Sequence, residues 1–183
     1  MALANPLPML KIPDELLTSR LKLRPFQPED FQGFLEFMID GEATRHLNFT
    51  PQQRSPEGAR RLFDGILASY ETDDPAFALA IEILDGTYIG SCGLSPIPGE
   101  GCYECYYSLN PPFWGQGFAS EALGELIRFA FEHKKVKEVR AYVNPNNPRS
   151  GLVARRVGMK VVGEEKHPVY GNEGIVYAVS TEK

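Results

Sequence analysis

Hydrophobic residues recur along this chain with two periods, and the points where one gives way to the other mark alternating strands and helices. Residues 20–26, Arg-Leu-Lys-Leu-Arg-Pro-Phe, alternate basic and apolar side chains and stop after a proline, which predicts a first strand with one buried face. Pro28, Glu29 and Asp30 suit the first turn of a helix whose apolar positions Phe31, Phe34, Leu35 and Met38 carry it to about Ile39. A polar, turn-rich stretch over residues 41–53 follows. Ser55 as N-cap with Pro56 at the first helical position then opens a second helix faced by Leu62, Phe63, Ile66, Leu67 and Tyr70. Residues 77–84 and 88–94 flank Asp85-Gly86, a hairpin dipeptide, and a turn over 98–101 leads into residues 103–109, which predicts an antiparallel meander. The period then lengthens. Ala119, Leu123, Ile127, Ala130 and Phe131 predict a helix to about His133, and Val139, Ala141 and Val143 another strand. Residues 150–157 read as a short helix ended by Gly158, and residues 159–163 and 175–179 as closing strands. No linker or repeat interrupts this order, so residues 1–183 are expected to form one domain, with residues 1–16 an extended N-terminal arm.

Composition acts mainly by exclusion. A hydrophobic fraction of 43% and an aromatic fraction of 11% supply enough apolar surface for a sizeable core, which argues against a disordered chain. No apolar run approaches the roughly 20 residues that cross a bilayer. Prolines in the opening MALANPLPMLKIPDELL break what a signal peptide would keep apolar, so no membrane partner and a cytoplasmic location are expected. A net charge of −5 with both signs interspersed leaves no Lys/Arg stripe to track a phosphate backbone, which excludes nucleic acid as a partner. Cys102 and Cys105 stand at CxxC spacing with Cys92 nearby, but no second CxxC or neighbouring His completes a metal site, and a strand points the pair to opposite faces. Reduced, buried or half-buried thiols are expected, and no metal.

Chemistry concentrates where the strand ending at residue 109 meets its helix. Gly115 and Gly117 stand just before the helical period begins. Glycines there permit close ligand approach, and the free N–H groups of a first helical turn, with the helix dipole, bind an anion without any charged side chain. Phosphate or pyrophosphate is the natural guest, although the same glycines also suit a plain strand-to-helix turn. A dinucleotide fingerprint would need a glycine at Ser120 and an acid ending the next strand, where Glu138 instead begins it. A P-loop would need Gly-Lys-Ser/Thr, which is absent.

The run from Tyr107 to Ala122, Tyr-Ser-Leu-Asn-Pro-Pro-Phe-Trp-Gly-Gln-Gly-Phe-Ala-Ser-Glu-Ala, resembles the acetyl-CoA pyrophosphate loop of the GCN5-related N-acetyltransferase (GNAT) superfamily. Within that superfamily it is most similar to the branch that includes ribosomal-protein N-terminal (alanine/serine) acetyltransferases. The resemblance extends over residues 17–180, through Thr18-Ser-Arg-Leu-Lys-Leu-Arg24, Thr44-Arg-His-Leu-Asn-Phe49, the Asp85-Gly86 hairpin and Asn144-Pro-Asn-Asn-Pro-Arg-Ser150, which leads to Ala154-Arg-Arg-Val-Gly-Met159. It implies an α/β fold, a three-layer α-β-α sandwich on a mixed, mostly antiparallel sheet. It also implies acetyl transfer from acetyl-CoA as co-substrate to a primary amine, by direct attack and without a metal. In the family motif of Arg or Gln, two residues, Gly, one residue and Gly or Ala, Trp114 takes the first place and Gly117 and Ala119 match the rest. By the same resemblance the amides of Gly115, Gln116, Gly117, Phe118, Ala119 and Ser120 hold the pyrophosphate. The strand edge at Tyr107, Ser108 and Leu109 pairs with the pantetheine arm, as in strand addition. Asn147 either hydrogen-bonds that arm or serves as a turn residue in its Asn/Pro-rich loop.

Such a reaction needs a base for the acceptor's ammonium, stabilisation of an oxyanion and an acid for the departing thiolate. Glu104 takes the family position of the base, in a strand otherwise apolar or aromatic, where burial would raise its proton affinity; its other reading is an outward-facing strand residue. The tyrosine that many relatives use as acid would fall at Ala154, which leaves Ser150, matched by the serine of the ribosomal-protein branch, as acid or as helix N-cap. His46 reads as structural or solvated, and Tyr106, Tyr107 and Tyr170 as lining of an amine channel or as core. The acceptor is a protein N-terminus or a small amine such as a polyamine, antibiotic or amino acid, because that choice belongs to loops 41–54 and 167–174. A catalytically silent acyl-CoA binder is the reading from another class, favoured if Glu104 points away from the cofactor, and a homodimer is compatible with the sequence.

Overall fold

The protein is described by a computed structural model covering residues 10–133 and 136–181. Among these residues, eight strands form one sheet in the order β1-β2-β3-β4-β5-β6-β8-β7. These are β1 (Leu16–Leu17), β2 (Leu21–Arg24), β3 (Ala78–Ile83), β4 (Tyr88–Pro96), β5 (Cys102–Leu109), β6 (Glu138–Val143), β7 (Lys160–Lys166) and β8 (Glu173–Ser180). Four helices, α1 (Phe31–Ile39), α2 (Pro56–Ser69), α3 (Phe118–Glu132) and α4 (Pro148–Arg156), cover its faces. Every neighbouring pair is antiparallel except β5 and β6. None of the described helices is long and apolar enough to cross a membrane.

The strand period sorts side chains into two cores, which makes the three expected layers. On β3, Leu79 and Ile81 face one way, into a core shared with Leu123, Leu126 and Ala130 of α3 and Ala154 of α4. Ala78 and Ala80 face the other way, against Phe34, Phe37 and Met38 of α1 and Phe63 of α2. Phe63 is fully buried and its ring lies 5.3 to 5.6 Å from those of Phe26, Phe31 and Phe34. Below it, Arg24 bridges two buried carboxylates, Asp30 at 2.8 Å and Glu82 at 2.6 Å, and so ties β2, β3 and the start of α1 together.

Local signals placed most boundaries. Ser55 caps α2, its Oγ accepting the Gly58 N–H at 3.1 Å. Gly86 takes φ +96° in the β3–β4 turn, where the Asp85 carboxylate accepts the Thr87 N–H at 2.9 Å. Leu16 and Leu17 pair with Leu23 and Lys22, and Leu10 and Leu16 are buried in the core; residues 1–9 of the expected arm lie outside the described residues. Two boundaries change. β7 runs on to Lys166, beyond the expected end at residue 163. Helix α4 begins at Pro148, not at Ser150, since proline suits a first helical position and Asn147 is the N-cap, its side chain accepting the Ser150 N–H at 3.3 Å. Ser150 is therefore not the cap.

One irregularity matters most. β6 pairs with β8 along its whole length, and β5 stays with β4 as far as Leu109. Their shared parallel ladder holds only at Cys102↔Glu138, Tyr103↔Val139 and Glu104↔Arg140, after which the two strands part and the sheet forks.

Candidate active site

The fork opens into a cleft of about 700 Å³ whose lining includes Tyr107, Trp114, Ser120, Asn147 and Ser150. Its β5 wall turns backbone groups into the cleft. Asn110 N–H donates to Ile89 O at 2.9 Å, which fixes the alternation of the ladder: Ser108 turns its backbone groups to β4, and Tyr107 and Leu109 turn theirs to the fork. The Ser108 hydroxyl shares a hydrogen bond of 3.1 Å with Ser91. Leu109 O is taken by the Trp114 indole N–H at 2.7 Å, so the side chain at the first motif position braces the loop against the strand.

The far end of the cleft is the start of α3. Gly117 is its N-cap at φ +84°, and Gly115 has φ +77°. A Cβ at Gly115 would meet nothing within 4 Å, and one at Gly117 only Arg20 Nη2 at 3.4 Å, so backbone conformation and not crowding requires these glycines. Phe118, Ala119 and Ser120 form the first turn, whose N–H groups have no intrahelical acceptor. Among the described residues, the buried Ser120 hydroxyl has no hydrogen-bond partner. An orphaned donor beside free amides fits a phosphate-bearing ligand. Gln116 is held by its own side chain, whose amide donates to Pro112 O at 3.1 Å, and by Arg20, which donates to Gln116 O at 3.1 Å. Arg20 is in turn gripped by Glu121 at 2.6 Å and lies over the Phe118 ring, 4.5 Å from its centroid.

Ser150 faces the cleft from α4. The Tyr107 hydroxyl stands 2.8 Å from Ser150 Oγ and donates to Ser150 O at 2.9 Å, which leaves the serine proton free to point at the phenol oxygen. Burial, against the pull of the Ser150 hydrogen bond, pushes the Tyr107 phenol well above its ordinary value. Glu104 is placed differently. It stands at the foot of the fork, outside the cleft lining, on the sheet face opposite Cys105 and Tyr107. It is not a lone buried carboxylate: both of its oxygens lie 2.9 Å from His167 Nε2. Glu104 and Ser150 thus flank the fork from opposite faces.

The remaining candidates scatter. Tyr106 lies over Gly93, where a Cβ would meet its ring at 2.4 Å. Tyr170 is exposed and packs its ring on His167, 4.7 Å away. His46 and Arg45 line the cleft. Loops 41–54 and 167–174 are tied together by Asn48, whose amide donates to Asn172 Oδ1 at 3.1 Å. All three thiols are free, Cys92 and Cys105 buried and Cys102 half-buried, and burial pushes Cys92 up to about 12.

The profile of the acetyltransferase (GNAT) domain matches residues 20–160. The chain belongs to the GNAT acetyltransferases. A curated relative, the uncharacterized N-acetyltransferase p20 of Bacillus licheniformis, is 34% identical over 139 residues, 75% of this chain and 77% of the relative. Among solved structures, a ribosomal-protein-S5-alanine acetyltransferase of Vibrio fischeri superposes with a TM-score of 0.70 at 17% identity, covering 92% of this chain and 97% of the other. A spermidine N-acetyltransferase of Vibrio cholerae, in complex with CoA and spermine, superposes with a TM-score of 0.73 at 16% identity, covering 89% and 96%. The fold is that of the GNAT enzymes, and this chain is an N-acetyltransferase of that family. His167 is the partner of Glu104 that the sequence did not indicate. Its only signal was a histidine opening a loop assigned to acceptor choice, 63 residues from the glutamate it meets.

Proposed function

We propose that this GNAT enzyme moves the acetyl group of acetyl-CoA to the free amine of a protein N-terminus in the cytoplasm. One observation carries the reading. A forked sheet turns the β5 edge at Tyr107 and Leu109 into the cleft, with only the Leu109 carbonyl held by Trp114, and that edge leads to a glycine-shaped helix start with an orphaned hydroxyl, Ser120. An extended arm with amide groups suits the edge, and a pyrophosphate suits the amides from Gly115 to Ser120. Acetyl-CoA supplies an activated acetyl carbonyl and a sulfur leaving group. Glu104 takes the proton of the acceptor's ammonium, so that the free amine is the attacking species. On the other face Ser150 Oγ gives its proton to the departing sulfur and regains one from the second proton shed by the acceptor nitrogen, while the Tyr107 phenol stays protonated and orients it. The charged lining of the cleft, Arg45, Arg149 and Arg156 against the single carboxylate of Glu42, suits the phosphates of acetyl-CoA.

The test is thiol release from acetyl-CoA with a panel of peptides bearing Ala or Ser N-termini, free amino acids and spermidine. Turnover with peptides and little with spermidine supports the reading. Preference for a small amine replaces the acceptor, and stabilisation by acetyl-CoA without turnover on any amine replaces the enzyme with a silent acyl-CoA binder. Glu104→Gln should lower kcat by about 10²- to 10⁴-fold near neutral pH, with a deficit that shrinks as pH approaches the acceptor's own pKa.

A further inference from the structure

We infer that His167 is a positioning residue: it fixes the carboxylate of Glu104 from behind and takes no proton itself. The inference rests on the proposed role of Glu104 as base. His167 opens the turn between β7 and β8 and is 4% exposed. Its ring is held between those of Tyr142 on β6 and Tyr170, each 4.7 Å away. The turn is closed by His167 N–H to Asn172 O at 2.9 Å and Gly171 N–H to His167 O at 2.8 Å.

Inside this frame the two ring nitrogens have different work. Nδ1 accepts the N–H groups of Val169 at 3.1 Å and Tyr170 at 3.2 Å, so its lone pair is used and the ring proton stands on Nε2. Nε2 faces Glu104, equidistant at 2.9 Å from Oε1 and Oε2. A histidine that relays protons must bind one at one nitrogen as it releases one at the other. Here two N–H donors close off Nδ1, so the ring can donate a hydrogen bond to the carboxylate but cannot pass a proton through. Of the pair, only Glu104 is free to act as acceptor.

The other charged group beside Glu104 is committed elsewhere. Arg140, its register partner on β6, holds Glu138 at 2.5 Å and reaches Glu165 at 3.7 Å. Among the described residues, His167 is the one side chain that holds the Glu104 carboxylate. A glutamate on a strand has three rotatable side-chain bonds, and without a fixed partner its carboxylate spreads over several rotamers. The turn that carries His167 is also the turn that Asn172 ties to Asn48, so the base and the acceptor loops share one support.

Four variants test this: His167→Phe, His167→Gln, Glu104→Gln and the double variant Glu104→Gln/His167→Phe. Each is assayed by thiol release over a pH series with the best acceptor of the panel, and by thermal stabilisation with acetyl-CoA. His167→Phe keeps a ring between the tyrosines but loses the Nε2 proton. Its kcat should fall about 10- to 100-fold near neutral pH, with acetyl-CoA binding unchanged and a deficit that shrinks as pH rises toward the acceptor's pKa. His167→Gln, whose amide donates from nearly the same place, should recover most of that rate. The double variant should be no slower than Glu104→Gln alone, since His167 acts only through the carboxylate. A His167→Phe rate within twofold of wild type, a deficit equal at every pH, or multiplied losses in the double variant would each overturn the inference. If His167→Phe does not fold, the comparison passes to His167→Gln and the shorter His167→Asn, and equal rates for those two overturn it. A wild-type rate in Glu104→Gln would instead remove the base itself.

Discussion

Replacing Ser150 by alanine should slow the enzyme far more than it weakens the fold. Among the described residues, the Ser150 hydroxyl has one hydrogen-bond partner, the Tyr107 phenol at 2.8 Å. The cap of α4 survives the change, because Asn147 accepts the backbone N–H of residue 150 and does not need its side chain. One neutral hydrogen bond is worth about 0.5–1.5 kcal/mol net. For a chain of 183 residues, at about 2–4 °C per kcal/mol, the melting temperature should drop by about 1–6 °C. A positioned acid contributes about 10²- to 10⁴-fold in rate, which corresponds to roughly 2.7–5.5 kcal/mol of barrier. The rate loss therefore exceeds the stability loss, and below the melting transition it cannot come from unfolded enzyme. Circular dichroism melts and thiol release at saturating acetyl-CoA and acceptor read the two quantities separately. Tyr107→Phe removes hydrogen bonds of 2.8 and 2.9 Å. It should cost more stability, about 1–3 kcal/mol, and less rate, because Ser150 keeps its own proton. A Ser150→Ala kcat within threefold of wild type refutes the acid role. A drop in melting temperature well beyond the expected range refutes the placement of the cap at Asn147.

Three further outcomes follow from the geometry. Gly115→Asp should lower the apo melting temperature through left-handed strain of about 1–2 kcal/mol. It should also abolish the roughly 2.7 kcal/mol of stabilisation expected from acetyl-CoA at 100 times its Kd; Gly115→Ala should share the strain and keep the ligand response, and an Asp variant with the full response would sink the anion site. Arg24→Met leaves the buried Asp30 carboxylate without its cation, while Glu82 keeps Lys22 at 3.0 Å, and should cost about 3–5 kcal/mol in urea unfolding near neutral pH, so a loss under 1 kcal/mol would mean the network is slack. Burial works against the Glu121 carboxylate, yet hydrogen bonds from Thr18, Arg20 and Ser19 hold its pKa below the ordinary 4.5. A depressed folded pKa gives stability that is complete above about 4.5 and is lost as pH falls through the folded value, so Glu121→Gln should flatten the acid limb of a urea-unfolding series below that pH, and an unchanged limb would show that Glu121 does not contribute to it.

Features set by neighbouring residues were legible before any coordinates: the Asp85-Gly86 turn, the Ser55-Pro56 helix start and the pair Gly115 and Gly117 at the head of α3. Even there weights compete. Asn147-Pro148 is as good a helix start as any in the chain, but Ser150, itself a residue type that caps helices, competes with it for the boundary. What escaped depends on which strands become neighbours. Periodicity assigns a side chain to a face of a sheet and is silent on what lies across it. Thus Glu104 could be placed on its strand, but not beside His167 in a turn that reaches it only because β8 pairs with β6. Tyr107 could be placed at the edge, but not at hydrogen-bond distance from Ser150, 43 residues on. The fork is the same case, since nothing within β5 or β6 encodes where their shared ladder stops.

Trp114 is the only tryptophan of the chain, and the fold has set it on the loop where the ligand is expected. Its indole N–H holds Leu109 O, and the Arg149 guanidinium lies 5.5 Å from the ring centroid, within the cleft wall. Indole emission responds to the polarity and hydrogen bonding around the ring, and with tyrosine left unexcited it comes from this one position. The protein thus carries its own optical gauge. Phosphates settling on the amides beside Trp114, or drawing Arg149 away from it, should change the colour or yield of that light. Cofactor arrival and departure can then be timed in unlabelled enzyme by rapid mixing, and in variants that no longer turn over.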